Sequence, residues 1–286
     1  MLHGPHILIA SESGTGKTYF AATIINARNP RPVLVQAFDP SDKLTSYRRR
    51  ADRIELEEYP FGMRENLYKG DTKVAVIERW GETEGKGSRG ITMKGGARVG
   101  GQLGNVKQGL KFEAYVERMR GFNAEAPEWY ALIHDSTTFC EFAVRSYLSG
   151  VMKVQDNMMI WAQATDELER FYMALFPNLP ITTIVLSHAS TERTPSSDGV
   201  SKYEVRLPGR LARDIIASFG EVYRAFTKLE KGEDGITHPR FFMQTETDGI
   251  WRCSSQLGVE SPFGPSPTWK SVWQLAMQLR PAGEPE

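Results

Sequence analysis

The chain has 286 residues, 40% of them hydrophobic and 24% charged, and its 35 basic and 35 acidic side chains cancel at neutral pH. That is ordinary globular composition; it excludes a whole-molecule field drawing the chain to nucleic acid or to an anionic membrane, so any such contact must come from a local patch. Two cysteines, Cys140 and Cys253, are too few for a disulfide framework or a zinc site of common spacing, and no apolar run approaches the ~20 residues that span a bilayer.

In chain order, "MLHGPHILIA" has no basic leader region, so a cytoplasmic protein whose fold begins almost at Met1 is expected. "HILIA" (6–10) is a short continuous apolar run, as in a strand buried on both faces. "SESGTGKT" (11–18) follows, matching the phosphate-loop pattern G-x-x-x-x-G-K-[ST] except that Ser11 stands at the first glycine. In "KTYFAATIINAR" the residues Phe20, Ala21, Ile24 and Ile25 recur at helical spacing, and "NPRP" ends the helix. "VLVQAF" (33–38) reads as a second strand ending at Asp39. This order of strand, glycine loop, helix and strand opens an α/β unit with a parallel sheet.

A mixed-charge stretch around Arg48, Arg49 and Arg50 follows, and "VAVIERW" (74–80) reads as another strand. Residues 81–109 hold ten of the 26 glycines with five basic and two acidic residues, the composition of a long flexible insertion and not of a packed core. "FEAYVERMRGFN" reads as a helix and "EWYALIHDST" as a buried strand ending in Asp135 and Ser136. "TFCEFAVRSYLSGVMKVQ" and "ATDELERFYMALFPN" read as helices, and "ITTIVLSHAS" (181–190) as a β-branched strand. "TPSSDGVSKYE" is turn-rich, and "RLARDIIASFGEVYRAF" is a helix running into a strand. "PRFFMQTETDGIWRCSS" reads as a hairpin around "TDG", and "SPTWKSVWQLAMQL" as a closing helix started by Ser266 or Thr268. One domain over residues 1–280, with a frayed tail at 281–286, accounts for the whole.

The glycine loop sets the chemistry. A triphosphate needs its charges neutralised away from bulk water, which backbone N–H groups at a strand–turn–helix junction can do. Ser13, Gly14, Thr15, Gly16, Lys17, Thr18 and Tyr19 are therefore the expected ATP-binding residues. Gly14 and Gly16 allow close backbone approach, Lys17 reaches the β- and γ-phosphates, and the Thr18 hydroxyl ligates Mg²⁺. Magnesium also wants a carboxylate at the end of a neighbouring strand, and Asp135 sits there.

The blocks "ILIASESGTGKT", "VLVQAFDP", "ALIHDST", "IVLSHAS" and "RLPGRLARDIIASFGEVYRAF" occur in an order that resembles the RecA-like ATPases of tailed phages, among them single-strand-annealing recombinases. The resemblance covers about residues 5–40 and 128–255; Ser11 and the 81–109 insertion depart from it. It implies an α/β fold of the RecA-like P-loop type, with a mostly parallel central sheet flanked by helices and a C-terminal β-hairpin. Ser136 follows Asp135 where chaperone-type ATPases carry a glutamate, so the resemblance moves the water-activating base elsewhere: to Asp39, with Glu12 as competitor. It gives His188, beside Ser187, the role of sensing the γ-phosphate.

The resemblance also implies ATP hydrolysis with Mg²⁺, single-stranded DNA as partner, and a ring or filament of identical subunits. A basic residue from the neighbouring subunit would act in trans, with Arg206, Arg210 and Arg252 as candidates. For DNA contact the basic candidates are Arg48, Arg49 and Arg50, with Tyr47 beside them, and Lys86, Arg89, Lys94, Arg98 and Lys107 of the insertion. Two other functions share the same loop. One is a small-molecule or nucleotide kinase using residues 81–109 as a lid; the other is a non-hydrolysing, ATP-dependent assembly switch.

Overall fold

A computed structural model describes residues 4–39, 41–81, 106–193, 201–231 and 236–278. The first strand, β1 (His6–Ser11), runs into the glycine loop and a short helix, α1 (Lys17–Ala22). After β2 (Val33–Ala37) a 3₁₀ turn (Ser41–Leu44) leads into α2 (Thr45–Arg48), and then β3 (Arg53–Tyr59), β4 (Gly62–Lys69) and β5 (Thr72–Arg79) form an antiparallel ribbon. The middle of the chain gives α3 (Val106–Met119), α4 (Phe122–Glu125), β6 (Ala131–Asp135), α5 (Thr137–Ser146) and α6 (Asn157–Glu169). The rest gives β7 (Thr182–Arg193), β8 (Ser201–Val205), α7 (Leu211–Asp214), β9 (Glu221–Lys231), β10 (Thr237–Gln244), β11 (Ser254–Ser255) and α8 (Trp269–Gln278).

The sheet runs β10-β9-β1-β7-β6-β2-β5-β4-β3, with β8 added to β7 and β11 to β9. From β9 through β5 every pairing is parallel. Strands buried on both faces read as near-continuous apolar runs. In β1, Ile7 and Ile9 enter one core with α1 and α8, while Leu8 and Ala10 enter the other with α3, α5 and α6. Parallel register brings the carboxyl ends together: Ser11 lies opposite His188, and Ala37 opposite Asp135. Ligands of open α/β sheets bind at that edge.

The expected fold class holds, with local corrections. The ribbon strands β3 and β4 replace the expected mixed-charge stretch. In β3 every residue is exposed or half-buried, so "RIELEEY" never shows an apolar face. Helix α3 begins at Val106, so residues 106–109 belong to a helix and not to the insertion. Helix α6 starts at Asn157, capped by Asp156, whose carboxylate accepts from the Met158 N–H at 2.7 Å; it therefore takes in "NMMIWAQ", ahead of the expected start. The C-terminal hairpin is β9 with β10, not a turn at "TDG"; β11, beyond that turn, pairs with β9. Thr268 starts α8, its hydroxyl accepting from the Ser271 N–H at 3.4 Å. Lys86, Arg89, Lys94 and Arg98, and the tail 281–286, lie outside the described residues.

Two buried polar clusters fix the outlying parts. Glu78 accepts from Gln36 Nε2 at 2.7 Å and from Arg118 Nε at 3.1 Å, tying α3 to the sheet, and Arg118 also holds Glu125 at 2.6 and 2.7 Å. Glu221 accepts from Ser255 Oγ at 2.7 Å and from the Leu257 N–H at 2.9 Å, pinning the chain after β11 to β9. Removing Arg118 would leave Glu78 an uncompensated buried charge, which costs about 3–5 kcal/mol.

Candidate nucleotide and metal site

The glycine loop is shaped by two residues with left-handed backbone, Gly14 at φ 81° and Gly16 at φ 89°. At Gly16 glycine is required twice over, since a Cβ there would come within 2.7 Å of the Phe241 ring. Ser11 is not among the positive-φ residues, so a side chain is tolerated at that position. Its hydroxyl is used: it is hydrogen-bonded to the Thr15 hydroxyl and accepts from Lys17 Nζ at 3.0 Å.

Lys17 folds back into the loop, donating also to the Ser11 carbonyl at 3.1 Å and the Glu12 carbonyl at 2.7 Å. These are the donors that a phosphate would claim. Burial pushes its ammonium down to about 8, against the opposing pull of Asp135 and Asp39. Ser13 and Gly14 are exposed at the loop's outer surface, with Thr15 and Thr18 half-buried. Tyr19 is 43% exposed, stacks on Phe241 at 6.2 Å and carries the Arg50 guanidinium 5.3 Å from its ring centroid.

Beneath the loop, Thr18 Oγ1 donates to Asp135 Oδ2 at 3.2 Å, and the Tyr47 hydroxyl donates to the same oxygen at 2.7 Å. Burial raises the Asp135 carboxyl to about 7, and the neighbouring Asp39 adds to this; the two hydroxyl donors and Lys17 oppose it. Among the described residues no group of three or more His, Cys, Asp or Glu could hold a metal. The donor set fits magnesium nonetheless. Hydroxyl and carboxylate are hard oxygen donors, and Mg²⁺ keeps waters and phosphate oxygens in the rest of its shell. A bound cation would also hold Asp135 ionised.

Asp39 is buried just past the end of β2, its Oδ1 accepting from Ser136 Oγ at 2.7 Å and its Oδ2 lying 3.9 Å from Lys43 Nζ. Its backbone N–H donates to the Asp135 carbonyl at 3.2 Å, which sets the two carboxylates side by side. Glu12 is exposed and enters the loop through its carbonyl. Midway along β7, where its pairing with β1 ends, His188 is half-buried, with its ring 6.1 Å from Phe139. Burial, followed by the charges of Lys17, Lys43 and Arg206, pushes the imidazole down to about 4, so it is neutral at physiological pH. Ser187 accepts from the Thr137 hydroxyl at 2.7 Å, joining β7 to the helix that follows Asp135.

The structure thus brings together Lys17, Thr18, Asp39, Asp135 and His188. The basic residues are spread more widely. Arg206 follows β8, with its N–H donating to the His188 carbonyl at 2.8 Å. Arg210 pairs with Glu169 at 3.2 Å, and Arg252 is exposed. Of the suggested DNA patch, Arg48 grips Glu65 through two bonds of 2.8 and 2.6 Å, Arg50 sits on Tyr19, and Arg49 is exposed. Tyr47 is a correction: fully buried, it cannot stack on a base, and its hydroxyl serves Asp135. Sequence reasoning missed that role, and missed Lys43 and Phe241. No local spacing reveals the first two, since Asp39 precedes the helical run and the run opens with a 3₁₀ turn.

The strand order, with β7 between the phosphate-loop strand β1 and the aspartate strand β6, is that of the RecA-like P-loop fold. No protein-family model matches the sequence, and no curated protein matches it significantly. Among solved structures, a type III secretion system ATPase of pathogenic bacteria is similar at 13% identity and TM-score 0.41, covering 78% of this chain and 52% of its own. EscN of enteropathogenic E. coli, solved with its central stalk EscO, is similar at 11% and 0.45, covering 78% and 42%. The flagellar accessory protein FlaH of Methanocaldococcus jannaschii is similar at 13% and 0.41, covering 89% and 83%. The chain spans about half the length of the first two. The fold assignment rests on the strand order, not on these likenesses.

Proposed function

We propose that this chain is a magnesium-dependent ATPase that acts on single-stranded DNA in recombination or replication, as a homo-oligomeric ring or filament of the tailed-phage type, in the cytoplasm. The observation that carries the nucleotide part is the Thr18–Asp135 hydrogen bond directly beneath a glycine loop already occupied by the Lys17 ammonium. Lys17 and the loop N–H groups bind the β- and γ-phosphates. Bound magnesium, held through Thr18 and Asp135, would neutralise charge on the phosphate oxygens. Asp39, oriented by Ser136, takes the proton from the attacking water, with Glu12 as the other candidate. His188, neutral and between the two nucleotide strands, is positioned to register the γ-phosphate. A basic residue from the neighbour, with Arg252, Arg206 and Arg210 as candidates, would stabilise charge in the transition state.

ATP turnover measured with and without single-stranded DNA tests the reading. Turnover stimulated by DNA supports it, and Asp39→Ala should abolish turnover while retaining ATP binding. Turnover only with a small acceptor would replace it with a kinase, and binding without turnover with an assembly switch. No helix among the described residues is long and apolar enough to cross a membrane.

A further inference from the structure

We propose that Lys43 is a catalytic residue of this site, a cation supplied by the same chain that binds the γ-phosphoryl group as it is transferred. The inference rests on the ATP-hydrolysis reading above.

Asp39, Lys43 and Tyr47 are four residues apart, and residues 41–48 form a continuous 3₁₀-then-α run. Asp39 precedes that run, and the first turn is 3₁₀, so contacts rather than helical period show where these side chains point. Asp39 is bonded to Ser136 at 2.7 Å, and Tyr47 to Asp135 at 2.7 Å, so both ends are turned into the site. Lys43, between them in the chain, has its Nζ 3.9 Å from Asp39 Oδ2 and 5.3 Å from the centre of the Phe139 ring. Phe139 in turn meets His188 edge-on at 6.1 Å. Lys43 is therefore linked to Asp39 directly and to His188 through Phe139, and its charge is felt at both His188 and Lys17.

Its present contacts are loose. At 3.9 Å the ammonium is beyond hydrogen-bond length from Asp39, and its side chain is 43% exposed. A lysine has three donors on a flexible stem and can turn to a phosphate oxygen without giving up its carboxylate neighbour. Lys17 and Lys43 both bear on the half-buried His188 ring, together with Arg206. Positive groups gathered around one site suit a polyanion.

In the step itself, a water oxygen bonds to the γ-phosphorus as the bond to the bridging oxygen breaks, giving ADP and inorganic phosphate. The water's proton goes to Asp39. Lys43 keeps its proton throughout and donates hydrogen bonds to γ-phosphoryl oxygens, where the benefit is greatest in the transition state.

The test uses the full chain with magnesium, in Lys43→Met and Lys43→Arg. Lys43→Met should lower kcat by about 10²-fold or more, with ADP affinity unchanged within about threefold and affinity for ADP with aluminium fluoride falling at least about 30-fold. Lys43→Arg should recover most of both. The aluminium fluoride loss should persist in an Asp39→Asn background, because the contact is to the phosphoryl group. Near-parental turnover in Lys43→Met, equal losses for ADP and its fluoride complex, or disappearance of the loss in Asp39→Asn would overturn the assignment while leaving the ATPase reading intact. A parent protein that binds no magnesium–ATP would instead remove that reading, and this inference with it.

Discussion

Thr18 and Asp135, 117 positions apart in the chain, meet at 3.2 Å below the glycine loop. The contact joins the residue that ends the loop to the strand two places away in the sheet, and it would give a bound magnesium a hydroxyl and a carboxylate from separate elements. Asp135→Asn keeps the shape and removes the charge. Titration with ATP, with and without magnesium, should then show equal affinities, whereas the parent binds more tightly with the metal present.

Tyr47 supports that carboxylate from behind, with its hydroxyl on the same oxygen. Tyr47→Phe keeps the ring and deletes one donor. Outer partners of metal ligands are worth about 10- to 100-fold in affinity or activity, and a loss in that range is expected in the magnesium concentration needed for half-maximal turnover. The lost hydrogen bond should lower stability by about 1 kcal/mol, so unfolding by denaturant separates the two effects.

Gly16→Ala meets two obstacles, φ of 89° and a Phe241 ring 2.7 Å from the new carbon. A non-glycine residue forced into the left-handed region costs about 1–3 kcal/mol. Adding Phe241→Ala removes the collision but not the backbone strain. Thermal unfolding should therefore show only partial recovery in the double variant, with ATP affinity weakened in both.

His134 is buried among Tyr115, Tyr172, Phe38 and Phe176, its Nε2 2.9 Å from the Tyr172 hydroxyl. Burial pushes its imidazole down to about 3. Between that value and the unfolded value of about 6.5, the unfolded chain takes a proton that the folded chain refuses. The stability is therefore fully present above pH ~6.5 and is lost as pH falls towards ~3, at up to about 1.4 kcal/mol per pH unit. His134→Gln cannot take that proton. Urea unfolding across this window should give a slope shallower by one proton than the parent's.

Much of this was legible in the sequence, because phosphate chemistry leaves a local mark. "SGTGKT" and the apolar runs that become β1, β2, β6 and β7 signal themselves within a few residues. The ribbon strand β3 did not, since an edge strand exposed on both faces alternates charge with isolated apolar residues such as Ile54 and Leu56. Nor did the pairing of β10 with β9, which depends on a register between distant segments rather than on the "TDG" turn. Tyr47 read as a surface aromatic because it precedes three arginines. Its burial is set by α2 packing against α1 in the core, a contact that no local pattern encodes.

The closing helix has a consequence for observing the site. The Trp269 backbone N–H donates at 2.7 Å to the Thr23 hydroxyl, and that hydroxyl donates to the Phe20 carbonyl at 2.6 Å, at the end of α1. A buried indole, with Trp273 5.8 Å away, thus rests one helical turn beyond the residues that would greet a nucleotide. The molecule carries its own optical probe there: with six tryptophans in the chain, the part of an emission shift that a Trp269→Phe variant loses on adding a ligand would register strain passing along α1, with no label attached.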